Sequence, residues 1–376
     1  MNTHIKFGRG VRFSLEEIIR NHQWEHVGIV VDHNIVELPA VKEIYKLLQK
    51  VTKRLFVGTC RISEPTYDSL EEVRPNFADD SIQMMIGVGG GSAIDMAKAM
   101  AVLVKNKKPA LEYRGFDKMT EPVLPIVAVP TTAGTGSEVT PNASFIDSHA
   151  KKKLGINGNA IRPRYGLLDP ELTLSCPKAA TISAAMDSVV HAVEAYVAQK
   201  TNPIARFFAQ EGLKRVFEAL PALTKDLGNL ELRQTVMYGA FLSGIALMHS
   251  GTGPAAALSY PLGVHYGVPH GLGGAFFLPR VIKHNLVLGY QGYGDLYDVI
   301  VQNHGVKDAG EKARKFYEKI VELWNQVEIP QELTAFGFNG TPEETASFVK
   351  ETLELKGALD QNPVLFGAAE IQAALS

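Results

Sequence analysis

The stretch Ile82-Gln-Met-Met-Ile-Gly-Val88 decides the fold, because it runs directly into Gly89-Gly90-Gly91-Ser92 and then into a helical pattern over 93–104. An apolar strand, a glycine turn and a helix in immediate succession are typical of a parallel α/β sheet. We expect Ser92 to cap the helix, with Asp95 as the acid of a capping box. A glycine backbone followed by a helix N-terminus favours a bound phosphate. A tight turn without a ligand is the alternative, although three consecutive glycines exceed what such a turn needs.

Strand and helix patterns alternate on both sides of this stretch, up to about residue 178. Short runs rich in β-branched residues predict strands, and segments with helical spacing lie between them; the strands are at 26–31, 52–57 and 123–129, and the helices at 39–51 and 66–75. This alternation predicts a doubly wound, mostly parallel, Rossmann-like α/β domain over residues 1–178.

Helical periodicity alone continues after Pro177. The segments that show it are 180–198, 204–220, 230–248, 309–327 and 342–353. This pattern predicts an all-α domain over residues 179–376. Two domains also suit the length of 376 residues, which exceeds what one hydrophobic core usually fills.

The composition is that of an ordinary globular protein, with 45% hydrophobic and 21% charged residues. A net charge of −2 gives no electrostatic reason to expect nucleic acid or an anionic membrane as a partner. No apolar run approaches the ~20 residues that span a bilayer. Two cysteines, Cys60 and Cys176, are too few for a disulfide framework, although a single bridge between them is an alternative. Together with an N-terminus that lacks a signal-peptide pattern, they predict a cytoplasmic protein.

A second polar loop follows the predicted strand at 123–129. Pro130–Thr140 contains five hydroxyl side chains and two glycines. Open α/β sheets bind their ligands at the carboxyl ends of strands, so these hydroxyls favour contact with a nucleotide. A connection in which the hydroxyls only cap the backbone is the alternative.

Asp187 and His191 lie four residues apart in a helical segment, so both side chains are on one face. A carboxylate and an imidazole at that spacing can chelate a divalent cation. An exposed ion pair or a helix-capping acid would have the same spacing. Two further histidines, His265 and His270, lie in a predicted loop over Gly263–Gly274, where we expect the chemistry.

Taken together, these motifs resemble those of the iron-dependent, or group III, alcohol dehydrogenases. The match runs from near Phe7 to at least Pro279 and covers most of the chain. The matching segments are Gly-Gly-Gly-Ser-x-x-Asp-x-x-Lys at 89–98, Pro-Thr-Thr-x-Gly-Thr-Gly-Ser-Glu at 130–138, Asp-Pro at 169–170, Asp-x-x-x-His-Ala-x-Glu-Ala-Tyr at 187–196 and Pro-His-Gly at 269–271.

The resemblance implies a nucleotide-binding α/β domain and a helical metal and substrate domain, in a dehydroquinate synthase-like architecture with the metal in the cleft between them. It also implies hydride transfer between NAD(P) and a small alcohol or aldehyde, a divalent Fe²⁺ or Zn²⁺, and a homodimer or higher homo-oligomer. The positions that it assigns to the cofactor are Gly89, Gly90, Gly91 and Ser92 for the pyrophosphate, Thr131, Thr132 and Thr135 for the adenine and nicotinamide side, and Lys153 near the ribose. Asp32 matches the acid that contacts the adenosine ribose, and a carboxylate there repels a 2′-phosphate, which favours NAD over NADP.

The resemblance assigns the metal to Asp187, His191 and His270, but the sequence departs from the family at two further positions. Where the family has His-Ala-x-x-His before a Pro-Leu-Gly turn, this chain has Ala256 and Tyr260. Three protein ligands still suffice for a catalytic zinc site. We expect proton transfer to pass to Tyr260 or His265, since a phenol or an imidazole can act as a general acid.

His249 and His265 are candidates for a replacement ligand or a proton relay, and each also fits a structural role. Two other functions remain open on these departures. One is a branch with an altered metal site that acts on a polar polyol or sugar acid, related to glycerol dehydrogenases and dehydroquinate synthases. The other is an NAD-binding protein that has lost catalysis, which the retained acid and histidines disfavour because buried polar groups are costly.

Overall fold

The structure is a computed structural model that describes residues 3–62, 64–302 and 305–376. The chain forms two compact units, one of Met1–Thr132 with Gly136–Cys176 and the other of Ala133–Thr135 with Pro177–Ser376. Both cysteines are buried in the first unit, and no disulfide joins them. Across the described ranges, no helix has the length and apolar composition that crossing a membrane requires.

The first unit contains nine strands and four α-helices within its described residues. The strands are β1 (His4–Phe7), β2 (His26–Asp32), β3 (Arg54–Cys60), β4 (Met84–Gly89), β5 (Gly115–Phe116), β6 (Ile126–Pro130), β7 (Asn142–Asp147), β8 (Lys152–Asn157) and β9 (Tyr165–Leu168). The helices are α1 (Ser14–His22), α2 (Pro39–Val51), α3 (Tyr67–Val73) and α4 (Gly91–Leu103).

Six of these strands form a parallel sheet in the order β1-β9-β6-β4-β2-β3, which confirms the predicted doubly wound fold. Strands β4 and β6 are buried at every position, as expected for central strands covered on both faces. The chain runs from β2 outward to β3, but from β4 in the opposite direction to β6. The order therefore reverses between β2 and β4, and such a switch point is where open α/β sheets bind ligands.

A second, three-stranded sheet was not predicted. Strands β7 and β8 pair antiparallel, and β5 pairs parallel with β8. Both long strands mix polar with apolar residues, Asn-Ala-Ser-Phe-Ile-Asp and Lys-Lys-Leu-Gly-Ile-Asn, because only part of each is buried. They therefore lack the continuous apolar run that marks a central strand.

The second unit is helical throughout its described residues, as predicted. Its helices are α5 (Lys178–Val197), α6 (Pro203–Leu223), α7 (Leu230–Met248), α8 (Pro254–Tyr266), α9 (His270–Val287), α10 (Gly294–Ile300), α11 (Ala309–Gln326), α12 (Pro342–Leu353), α13 (Lys356–Leu359) and α14 (Ala368–Ala374). Helix α5 is buried without interruption from Ala185 to Val197 and contributes to the core of this unit.

The predicted loop over Gly263–Gly274 is wrong. Helix α8 continues to Tyr266 and α9 begins at His270, so only residues 267–269 connect them. Of the glycines in this stretch, Gly267 is the one with a left-handed conformation, at φ +65°. Gly271, Gly273 and Gly274 lie inside α9, where the missing side chain permits close packing and does not signal a turn.

Candidate active site

The carboxyl ends of β2, β4 and β6 lie side by side, and we call this region the glycine edge. Its residues are Asp32, Gly89, Gly90, Thr131 and Thr132. Gly89 has φ +150°, and a Cβ there would lie 2.7 Å from the Cβ of Ala93 and 2.8 Å from the Cβ of Asp32. Glycine is therefore required at this position. The Thr131 N–H donates to the Gly89 carbonyl at 2.9 Å, which holds the second polar loop against the first.

The capping prediction for α4 is wrong, because the helix begins at Gly91 and its N-cap is Gly90. Ser92 lies within the first turn and not at the N-cap. The backbone N–H groups of this turn follow a residue that has no side chain to cap them. This arrangement suits a phosphate, which binds such groups together with the positive end of the helix dipole.

Asp95 and Lys98, two further residues of the glycine motif, tie α4 to the loop after β6. The Asp95 carboxylate accepts from the Ser137 hydroxyl at 2.5 Å and from the Ser144 N–H at 2.9 Å. The Lys98 ammonium is fully buried and donates to the Ser137 hydroxyl at 2.8 Å and to the Asn142 carbonyl at 2.6 Å. Burial lowers the pKa of Lys98, which the nearby Asp95 opposes. These residues fix the shape of the glycine edge, a role that the sequence did not reveal.

The resemblance assigns three other residues to the cofactor, and they lie at the end of β2, on β8 and in the segment 133–135. Asp32 ends β2, and its carboxylate accepts from the Asn34 N–H at 2.9 Å. Lys153 lies on β8 in a largely buried ion pair with Glu64. Thr135 belongs to the short segment 133–135 of the helical unit. That segment packs tightly on α5, since a Cβ at Gly134 would lie 2.1 Å from the Ala184 carbonyl oxygen.

In the helical unit, Asp187, His191 and His270 converge, and we call them the Asp–His–His cluster. One potential ligand atom from each residue lies within 4.8 Å of the other two. Among the described residues, this is the one group of three or more histidine, cysteine or acidic side chains that could hold a metal ion. Asp187 and His191 are 2% and 4% exposed, which excludes the alternative of an exposed ion pair. The Nε2 atoms of His191 and His270 lie 3.6 and 3.7 Å from the same Asp187 Oδ1.

These distances fit a shared divalent cation. They are too long for hydrogen bonds. Ligands held about 2.1 Å from a tetrahedral ion lie about 3.4 Å from one another, close to both separations. The donor set of one carboxylate and two imidazoles is also one that zinc and iron accept. The cluster therefore offers the three ligands of a candidate cation site.

Two glycines allow α9 to place His270 there. A Cβ at Gly271 would lie 2.2 Å from the Ser183 carbonyl oxygen and 2.7 Å from the Asp187 Cβ, so α9 touches α5 directly. A Cβ at Gly273 would lie 3.0 Å from the Ser259 Cβ, so α9 also lies close against α8. The glycines that suggested a loop are contact points between helices.

The two departures from the family pattern both lie on α8. Ala256 is buried, and Tyr260 is partly exposed with its ring centroid 5.2 Å from that of His270. Tyr260 is therefore a neighbour of the cluster. Between them in sequence, the buried Ser259 hydroxyl lies 2.5 Å from His270 Nδ1.

Glu194 is a buried acid that sequence reasoning did not select, although it belongs to the matched Asp-x-x-x-His-Ala-x-Glu segment. Its carboxylate accepts from the N–H groups of Gly253 and Ala255 at 2.7 Å each and of Ala256 at 3.3 Å. Burial raises the pKa of Glu194 to about 7, against the lowering effect of these bonds. The residue fastens the first turn of α8 to α5.

The two other candidate histidines, His265 and His249, make contacts outside the Asp–His–His cluster. His265 is in the last turn of α8, and its Nε2 lies 2.8 Å from a carboxylate oxygen of Glu351 on α12. His249 is the C-cap of α7, and its carbonyl accepts from Asn202 at 2.6 Å. The Asp–His–His cluster includes neither of them.

Comparison with known proteins gives matches over nearly the whole chain. The sequence model of the iron-containing alcohol dehydrogenases matches residues 2–170, and that of the C-terminal region of the Fe-containing alcohol dehydrogenase family matches residues 181–376. The NAD-dependent methanol dehydrogenase of Bacillus methanolicus is 31% identical over 240 residues, which cover 64% of this chain and 63% of that protein. Long-chain-alcohol dehydrogenase 1 of Geobacillus thermodenitrificans is 28% identical over 93% of this chain and 88% of that protein.

Solved structures share the fold. The crystal structure of sulfoacetaldehyde reductase from Bifidobacterium kashiwanohense in complex with NAD⁺ superposes with a TM-score of 0.88. The two chains are 25% identical, and the match covers 100% of this chain and 96% of the other.

Proposed function

Because this chain belongs to the iron-containing alcohol dehydrogenase family, we propose that it is an NAD-linked, metal-dependent oxidoreductase whose cation is held by the Asp–His–His cluster. Family membership confirms the resemblance seen in the sequence and the assignment to alcohol and aldehyde oxidoreduction. The observation that carries the proposal is the convergence of two imidazole Nε2 atoms on Asp187 Oδ1 at 3.6 and 3.7 Å. A bound divalent cation, Fe²⁺ or Zn²⁺, supplies a Lewis acid that polarises the substrate oxygen.

We assign the cofactor to the glycine edge. Gly90 has no side chain that could cap α4, so the first turn of the helix presents its backbone N–H groups to a pyrophosphate. Asp32 lies beside Gly89 at the end of β2, where an acid accepts from a ribose hydroxyl and repels a 2′-phosphate. The B. methanolicus relative is named as NAD-dependent, and this agrees with the preference for NAD over NADP. The assignments of Thr135 and Lys153 to the cofactor rest on the resemblance alone.

We assign the substrate proton to Tyr260. Its ring lies 5.2 Å from that of His270, next to the Asp–His–His cluster and on the part of α8 that faces it. A phenol beside a cationic site acts as a general acid once its pKa falls. His265 lies with Glu351, so we do not retain it as the proton carrier.

Two broader features of the protein are also proposed. Cys60 and Cys176 are buried and are not joined by a disulfide, which supports a cytoplasmic location, because that compartment is reducing. Large exposed apolar side chains on α6, Ile204 and Phe207, at 54% and 64% exposure, support association into a homo-oligomer.

The proposed cation site is tested by the substitution Asp187→Asn, with Asp360→Asn on the exposed surface of the same unit as the matched control. We expect the wild type and the control to retain bound iron or zinc by elemental analysis and to reduce NAD with simple alcohols. The Asp187 variant should lose both properties. Equal turnover by all three proteins after chelation would refute the proposal. Polyols and charged aldehydes in the same substrate panel test the polar-substrate alternative, and NAD binding without metal or turnover would favour a protein that has lost catalysis.

A further inference from the structure

The two imidazoles of the Asp–His–His cluster differ at Nδ1. His270 Nδ1 lies 2.5 Å from the Ser259 hydroxyl. His191 Nδ1 is buried and has no hydrogen-bond partner within the described part of the chain. A histidine ligand needs a deprotonated nitrogen toward the metal, and the partner of its other nitrogen decides which one carries the proton. Of these two histidines, His270 is therefore the one in which a neighbouring side chain decides which ring nitrogen carries the proton.

The position of the proton follows from the second contact of Ser259. Its hydroxyl oxygen lies 2.6 Å from the Ala256 carbonyl oxygen, one turn earlier in α8. A carbonyl can only accept, and a hydroxyl has one proton. Two oxygens this close need that proton between them, so Ser259 donates to Ala256. The Ser259 oxygen must then accept from His270, which places the imidazole proton on Nδ1.

With the proton on Nδ1, the lone pair of His270 is on Nε2, the atom that lies 3.7 Å from Asp187 Oδ1. Packing leaves little freedom for another arrangement. Ser259 is 1% exposed, and Gly273 lets α9 approach its Cβ closely enough that the two helices hold the pair together. The Ala256 carbonyl is the last acceptor in this series of hydrogen bonds.

We propose that Ser259 is a positioning residue that holds His270 in the tautomer with a free Nε2, ready to bind a divalent cation. The inference rests on the proposed cation site. It differs from that site in what it predicts, because the tautomer of His270 is a property of the protein before any cation binds.

The test compares wild type, Ser259→Ala and the matched control Ser243→Ala. Ser243 is likewise fully buried, and its hydroxyl donates to the Gly239 carbonyl of α7. Titration of the metal-free proteins with Zn²⁺ in a calorimeter gives the affinities. We expect Ser259→Ala to bind about 10–100-fold more weakly, which is the usual effect of losing such a partner, and the control to match wild type.

Nuclear magnetic resonance of proteins with isotopically labelled histidine nitrogens supplies a readout that general destabilisation does not change. The spectrum of metal-free wild type should show His270 protonated at Nδ1, with the signal identified by its loss in His270→Asn. Ser259→Ala should lose this single tautomer. Unchanged affinity in Ser259→Ala, or a wild-type His270 protonated at Nε2, would overturn the inference. A wild type that binds no Zn²⁺ would instead refute the cation site, and the spectrum would still decide the role of Ser259.

Discussion

Replacing Gly271 by alanine should damage both the stability of the helical unit and the proposed cation site. The added Cβ would lie 2.2 Å from the Ser183 carbonyl oxygen. Nonbonded heavy atoms attract best at about 3.5 Å, so α9 and α5 must separate by about 1.3 Å or distort by a similar amount. Overpacking of this kind costs about 1–3 kcal/mol of the free energy of unfolding. For a domain of 150–250 residues, each kcal/mol lowers the melting temperature by roughly 2–4 °C.

The same displacement acts on the cluster, because His270 precedes Gly271 and the clash is with the residues around Asp187. An increase of about 1 Å in a separation that is now 3.7 Å takes His270 Nε2 out of the range in which it shares a cation with Asp187. We expect Zn²⁺ affinity to fall roughly tenfold or more, comparable with the loss of a supporting contact.

Gly357→Ala is the matched control for this prediction. Gly357 lies in α13, and a Cβ there meets nothing within 4 Å. It should leave the melting temperature unchanged or slightly raised, since alanine favours helix over glycine. Thermal unfolding followed by circular dichroism and Zn²⁺ calorimetry measure the two effects. The reasoning would be refuted if Gly271→Ala melted and bound Zn²⁺ like the control.

Four other outcomes are expected. Asp32→Ala should raise the ratio of kcat/KM with NADP to that with NAD by about fivefold or more, because two unit negative charges about 4 Å apart repel by about 1 kcal/mol even when fully screened by water. An unchanged ratio would contradict the cofactor assignment. Tyr260→Phe should lower kcat by at least about 100-fold with Zn²⁺ affinity unchanged, as expected for loss of a proton carrier. Lys98→Met should lower the free energy of unfolding by about 3 kcal/mol in denaturant titration, since Asp95 then loses its buried cationic partner. In the metal-free folded protein, burial raises the pKa of Glu194 to about 7 from its ordinary value of 4.5. The contribution of Glu194 to the free energy of unfolding is therefore complete below pH 4.5 and is lost as the pH rises through about 7. Glu194→Gln should flatten the fall of stability between these two pH values.

Hydrophobic periodicity in the sequence predicted the bounds of helices accurately where the pattern was consistent with only one type of secondary structure. Residues 39–51, 230–248 and 342–353 were predicted as helices with the bounds that the structure shows. The apolar run before Gly89 likewise led to the switch point of the sheet. In these segments the local preference and the tertiary environment agree, so the sequence is sufficient.

Glycine was ambiguous because the same residue permits a turn or a close helix contact. The error over Gly263–Gly274 has this origin, since Gly271 and Gly273 are explained by contacts with Ser183 and Ser259 on two other helices. The role of Ser259 was hidden for a similar reason. A buried serine gains a function only from the histidine placed opposite it by another helix.

Three N–H groups on the Glu194 carboxylate have a consequence for how quickly the protein takes up its ion. The first turn of α8 cannot slide along α5 without leaving a buried acceptor unsatisfied, which is costly. Helix α8 carries Ser259, whose hydroxyl contacts His270, so the proposed ligands are arranged before an ion arrives, and little conformational entropy remains to be lost. We expect uptake to be limited by the rate at which the ion sheds its hydration water, and not by a slow rearrangement of the chain.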